Sequence, residues 1–123
     1  MGYEVEKYVV ERPWGDFIIL AKGKDYVVKL LTINKGHSIS LQRHLNREET
    51  WVILEGTGLI VLGTRKKGAK LVKYGDVYHI PKQAWHRIGC ETRSKVPMKI
   101  LEVQRGICEE EDVERLEDQY GRV

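Results

Sequence analysis

From Trp14 to Arg105 the chain alternates between short runs of apolar, β-branched and aromatic residues and clusters of turn formers, the runs recurring roughly every 8 to 12 positions. Within the run 26–33, Val27, Lys29, Leu31 and Ile33 share one face, following the two-residue period of a strand. The pattern predicts strands over 17–21, 26–33, 38–44, 50–55, 58–62, 69–74, 77–80, 86–88 and 98–104. Gly23-Lys24-Asp25, Asn34-Lys35-Gly36, Glu55-Gly56, Gly63, Gly75-Asp76, Pro81 and Pro97 supply the breaks. Short strands at this spacing predict an all-β sandwich or barrel. After Gly106 the period changes, because Val113, Leu116 and Tyr120 recur three and four residues apart in an acidic segment, which predicts a short C-terminal helix. Acidic residues at 109–112 suit the positive end of such a helix, and Gly121 suits the left-handed residue past its other end.

Alternation also distributes the chemistry. Ser38, Ser40, Gln42 and His44 fall on one face of their strand, with Ile39, Leu41 and Arg43 on the other. The inside of a small barrel has room for side chains or one small ligand, so a polar inner face implies a site. Glu49 follows a short turn and shares its face with Trp51 and Ile53, and His86 opens a later strand just past Pro81. Gln42, His44, Glu49 and His86 together offer an amide oxygen, two imidazole nitrogens and a carboxylate, a mixed set that suits one divalent ion of Zn, Mn, Co, Ni or Fe. The alternative is a pair of interior histidines that satisfy each other through hydrogen bonds; the joint spacing of all four residues favours the metal. His37, in the turn before a strand, is expected to face solvent, while His79 shares a face with Val77 and is open to either orientation. Lys29 is either a strand-edge cation with its head in water or an interior cation facing the cavity.

The 123 residues make one domain, 1–123, of a length that buries roughly two-thirds of its unfolded surface. At 32% charged and 41% hydrophobic the composition is that of an ordinary globular chain, with no run approaching the roughly 18 apolar residues of a membrane span. The acidic, amphipathic start lacks the basic opening and apolar stretch of a secretory signal, so a cytoplasmic location is expected. Cys90 and Cys108 are the only cysteines and are expected to remain thiols. The net charge of +3 is small, and the densest basic run, 65–73, is broken by glycines and lacks interleaved aromatics, which argues for a solvated turn and against nucleic-acid binding.

Two further spacings carry a resemblance. Gly36, Gln42, His44, Glu49 and Gly56 are spaced like the first cupin motif with Gln in place of its first His, and Gly75, Pro81 and His86 like the second. Arg12-Pro13-Trp14-Gly15, Ser40 to His44, Glu49-Thr50-Trp51-Val52, Ile80-Pro81, His86-Arg87, Glu102-Val103-Gln104 and Tyr120-Gly121-Arg122 are together similar to type II mannose-6-phosphate isomerase. That enzyme is usually the C-terminal part of a protein that also carries mannose-1-phosphate guanylyltransferase. The cupin motifs begin almost at Met1, so no nucleotidyltransferase domain is expected in this chain. Leu45 and Asn46 stand where the family commonly has histidines, Thr50 where a His often precedes the Trp, Gln83 where a Gly is usual, and Cys90 where cupins have Asn. If the backbone needs a positive φ at Gln83, the side chain costs on the order of 1 kcal/mol.

The resemblance implies a cupin jelly-roll barrel with one divalent metal, acting as an isomerase between mannose 6-phosphate and fructose 6-phosphate. A Lewis-acidic ion beside the reacting oxygens would stabilise charge as a proton moves between adjacent carbons. Lys29, Glu102 and His79 are the candidate bases. Arg122 and Arg12, from opposite ends of the chain, would clamp the phosphate or polarise an oxygen, Arg122 being the one placed near the reaction as a catalytic residue and Arg12, with Ser40 and His79, a substrate contact. A homodimer is expected from the fold class. The alternatives are a metal- or sugar-binding cupin without turnover and, with less support, a cupin dioxygenase.

Overall fold

In the computed structural model the described residues are 9–64 and 68–123; the amphipathic N-terminal segment and positions 65–67 of the basic turn lie outside them. The two-residue period is met directly in β3 (Tyr26–Ile33), where Val27, Lys29, Leu31 and Ile33 are buried. Around it run β1 (Val9–Arg12), β2 (Gly15–Lys22), β4 (Leu41–Arg43), β5 (Arg47–Glu55), β6 (Gly58–Leu62), β7 (Lys70–Val72), β8 (Val77–Ile80), β9 (His86–Cys90), β10 (Met98–Gly106) and β11 (Glu114–Glu117). A six-stranded sheet has the order β1-β2-β3-β10-β5-β8, and a five-stranded sheet the order β11-β4-β9-β6-β7, with every pair antiparallel.

The core lies between the sheets. Phe17, Leu31, Trp51, Ile53, Ile80 and Ile100 come from the six-stranded sheet and meet Ile60, Val72, Ile88 and Cys90 from the other. Burying an aliphatic side chain of this kind contributes about 1.5–3 kcal/mol, so these layers hold the sheets together. Gly15 permits the tight approach of β2 to β3, since its φ is +154° and a Cβ there would lie 1.9 Å from the Thr32 carbonyl oxygen. That approach seats Trp14 in the core and leaves Arg12 at the cavity. Both cysteines are free, and among the described residues no helix is long and apolar enough to cross a membrane.

The C-terminal segment departs from its expectation. No helix forms there: Glu114–Glu117 is a strand that pairs with β4, placing Arg115 opposite Gln42. Edge strand β4 has unpaired backbone groups, and an extended partner satisfies them where a short isolated helix would not. Leu116 is accordingly exposed, not part of a docking face, while Val113 lines the cavity and Tyr120 packs against the core. His37, expected in solvent, stacks on Tyr120 with ring centroids 5.8 Å apart, its Nδ1 2.6 Å from the tyrosine hydroxyl.

Gln83 does adopt the left-handed backbone, at φ 66°. Its N–H donates to the His44 carbonyl at 2.7 Å, so this turn ties the start of β9 to the end of β4. Relief of the left-handed strain makes Gln83→Gly more stable by roughly 0.5–1 kcal/mol, read as a higher denaturant midpoint at unchanged slope. A lower midpoint would show that the Gln83 side chain contributes more than its backbone strain takes away.

Candidate metal centre

Both sheets contribute to one buried cluster. Gln42 on β4 pairs in register with His86 on β9, His44 follows two residues later, and Glu49 reaches in from β5 in the opposite sheet. His44 Nε2 lies 3.5 Å from Glu49 Oε2, and His86 Nε2 lies 3.7 Å from Glu49 Oε1. The ligand atoms of these three residues are all within 4.8 Å of one another, a separation that ligands about 2.0–2.2 Å from a shared ion approach.

The hydrogen bonds behind the rings fix what the front can do. His44 Nδ1 lies 2.7 Å from the Asp112 carbonyl oxygen and His86 Nδ1 lies 2.9 Å from that of Ala84. A carbonyl only accepts, so each Nδ1 carries the proton and each neutral ring presents a bare Nε2 lone pair to the cluster. Glu49 Oε1 and His86 Nε2 are buried with no hydrogen-bond partner. Orphaned acceptors in the interior cost about 1–3 kcal/mol each, and a divalent cation satisfies all of them at once. Gln42 sits at the edge of the cluster, its Nε2 3.5 Å from His44 Nε2 and its Oε1 accepting from the Ser40 hydroxyl at 2.8 Å. Turning the amide over presents Oε1 to the cluster, and the Ser40 hydroxyl can accept as readily as it donates.

Burial sets the protonation states. It pushes His86 down to about 4, against the Ala84 carbonyl bond. His44 is lowered by burial and by the charge of Arg47. Glu49 is raised by burial, although Arg47 opposes this, and Glu102 is raised by burial and by the neighbouring Glu49. Both imidazoles are thus neutral at ordinary pH, as metal coordination would require.

Sequence reasoning missed Arg47. Its buried guanidinium donates through Nε to Glu49 Oε2 at 2.9 Å and through Nη1 to the Glu109 carbonyl at 2.8 Å, and Nη2 lies 3.4 Å from His44 Nε2. The signal was available, since Arg47 precedes Glu49 by two and must share its face. Gln104 and Trp51 were also missed as polar partners: their N–H groups hold the two oxygens of Glu102 at 2.7 and 3.0 Å.

A cavity of about 80 Å³ opens beside Gln42 and His44, and Arg12, Lys29, Glu102 and Arg122 line it as well. Lys29 takes the interior position, buried with its ammonium 4.2 Å from the centre of the Phe17 ring and bonded to Glu110. Arg122 is held by Asp118 through Nε at 2.8 Å and Nη2 at 2.9 Å. His79 does not join them. It is exposed on the same outer face of β8 as Val77, beside Thr50 and Arg105, because strand parity turns Ile80 inward instead. That position removes it as a base or substrate contact of this cavity.

Two measurements check the centre. The protein will bind one equivalent of zinc or cobalt, and Glu49→Gln or His86→Ala will each weaken it by about 100-fold or more, read by competition with a chelator. Free histidine titrates near 6.5 and His86 near 4, so the unfolded chain takes up its proton first. The metal-free protein therefore loses stability as pH falls from about 6.5 to about 4, and His86→Gln flattens that part of the curve. An unchanged slope in the variant would assign the loss to other groups.

Comparison with known proteins places this geometry. The family model described as mannose-6-phosphate isomerase C-terminal matches residues 3–118. The mannose-1-phosphate guanylyltransferase ManC of Salmonella typhimurium is 37% identical over 115 residues, covering 93% of this chain and 23% of that protein. The alginate biosynthesis protein AlgA of Pseudomonas putida is 37% identical over 92% of the chain and 22% of its own length. The chain thus spans about a quarter of the curated relatives it matches. Among solved structures, oxalate decarboxylase from Bacillus subtilis superposes with TM-score 0.73 at 16% identity over 90% of this chain and 30% of that one. A cupin protein from Bacteroides fragilis gives TM-score 0.59 at 21% identity over 69% of each chain. The fold is the cupin jelly roll, and by sequence the chain belongs to the mannose-6-phosphate isomerase C-terminal family.

Proposed function

We propose that this domain is a metal-dependent aldose-ketose isomerase that interconverts mannose 6-phosphate and fructose 6-phosphate. The observation that carries the reading is a buried, acceptor-only His44–Glu49–His86 cluster beside a cavity lined with cationic side chains. A divalent ion held by those three residues and Gln42 supplies Lewis acidity toward the hydroxyl and carbonyl oxygens of a sugar.

The remaining work falls to the chain itself. Glu102 is the best-placed base, because it lines the cavity and the Trp51 and Gln104 bonds fix its carboxylate against rotation. In the reaction it takes a proton from one carbon of the substrate and returns it to the adjacent one, while the hydroxyl proton shifts between the two neighbouring oxygens, so that carbonyl and hydroxyl exchange places. Arg122 is pre-oriented, since Asp118 engages its Nε and Nη2 and leaves Nη1 for substrate oxygens. Arg12 and Lys29 add positive charge at the same end. Leu31, Ile39 and the rings of Trp14 and Phe17 form the apolar part of the cavity wall.

Metal-loaded protein will interconvert the two hexose phosphates in a coupled assay and lose this on chelation. Glu102→Gln will lower kcat by about 100-fold or more while metal affinity holds, and Arg122→Ala will act mainly on KM. Protein that is fully loaded yet inert toward a panel of sugar phosphates would make the domain a binding module.

A further inference from the structure

The cavity is strongly cationic and already holds an anion. Arg12, Lys29, Arg47, Arg115 and Arg122 line it against two carboxylates, Glu102 and Glu110. Glu102 belongs to the Trp51–Gln104 pair, but Glu110 comes from the loop before β11 and lies across the cations. One of its oxygens bonds the buried Lys29 ammonium, and the other lies 3.4 Å from Arg12 Nη2. Both cations sit on the Phe17 ring, at 4.2 and 5.1 Å from its centre. On the same cavity wall, Arg115 buries an Nε with no hydrogen-bond partner among the described residues.

The loop holding Glu110 is fixed on either side. Arg47 donates to the Glu109 carbonyl, and Asp112 accepts the Leu45 and Asn46 N–H groups on its two carboxylate oxygens, both at 2.9 Å. The Asp112 carbonyl meanwhile accepts from His44. The backbone is therefore anchored, and the Glu110 side chain is the movable part, more than half exposed at 56%.

We infer that Glu110 is an internal competitor for an anion subsite: its carboxylate occupies, on Lys29 and Arg12, the place of a substrate's phosphate, and Arg115 Nε is a further donor to that phosphate. Binding then requires the Glu110 side chain to swing to solvent and hand its two cations to the incoming anion. The apparent affinity for phosphate falls by the fraction of time the cations are so engaged. The same exchange keeps the buried Lys29 paired when no substrate is bound, which spares the cost of an unpaired interior charge. Lys29 and Arg12 bind phosphate as point charge and fork respectively, so the subsite reads charge and leaves the sugar to the metal end.

This rests on the reading of the cavity as the sugar-phosphate site, but its test requires no turnover. The full, metal-loaded chain is titrated with inorganic phosphate in a calorimeter as wild type, Glu110→Gln, Glu110→Ala and the control Glu111→Gln. Both Glu110 variants are expected to bind phosphate about tenfold or more tightly than wild type, with Glu111→Gln within about twofold. Adding Arg115→Ala to Glu110→Gln should erase most of the gain. Equal gains in Glu110→Gln and Glu111→Gln, or none in a Glu110→Gln protein whose melting temperature matches wild type, would overturn the competitor role. A gain that survives Arg115→Ala would remove Arg115 from the subsite. Tighter phosphate binding in a protein without isomerase activity keeps the subsite and rejects the isomerase; an active isomerase with unchanged phosphate binding does the reverse.

Discussion

The structure turns on one buried carboxylate. Glu49 projects from one sheet into the space between both, where it meets two imidazole nitrogens whose protons are committed to carbonyls on the far side of each ring. Such a set of acceptors has no use for one another, and within a low-dielectric interior their mutual exposure is unfavourable. A divalent cation held there would resolve the conflict and at the same time join β4 and β9 to β5, fastening the two sheets. Arg47 moderates the same carboxylate from one side, giving Glu49 a positive neighbour without filling both of its oxygens.

Around that centre the positive charge is arranged in two tiers. Arg47 lies against the ligands, while Lys29, Arg12, Arg115 and Arg122 ring the outer cavity. Each of the better-defined cations has a carboxylate that orients it: Glu49 for Arg47, Glu110 for Lys29 and Asp118 for Arg122. The carboxylates differ in character. Asp118 is held at about 2, chiefly by its hydrogen bonds from Arg122, and stays ionised throughout the working range. Burial alone would raise Glu110, but the bond and charge of Lys29 outweigh it, together with Arg47 and Arg12. A carboxylate held ionised on an exposed side chain is the kind of partner an incoming dianion can replace.

Much of this was legible from residue pattern. The run 26–33 formed a strand with the same limits, as did 58–62 and 77–80, because each is an apolar or β-branched run bounded by turn residues. Ser40, His44 and Glu49 are buried and Gln42 lines the cavity, but Ser38 turns away to Gln119 and Ile39, expected on the opposite face, lines the cavity too, because only Leu41–Arg43 of the expected strand 38–44 forms. Failures share a cause. The tail from Val113 to Tyr120 has helical spacing, yet the empty edge of β4 decided its conformation, and an edge supplied by a strand seventy residues earlier leaves no local trace. His79 was ambiguous because its strand carries Val77 and Tyr78 on opposite faces, with neither polarity decisive. Glu110 was invisible for a similar reason: it read as one of four acidic residues in a row, and only the tertiary structure places it on Lys29.

The central claim is that a metal ion is held by nitrogen and oxygen from this cluster. X-ray absorption at the zinc edge of loaded protein tests it most directly. The expected spectrum is a first shell of nitrogen and oxygen alone, near about 2.0–2.2 Å, carrying the outer-shell scattering of two imidazoles. A shell containing sulfur, or one of oxygen with no imidazole scattering, would contradict the account.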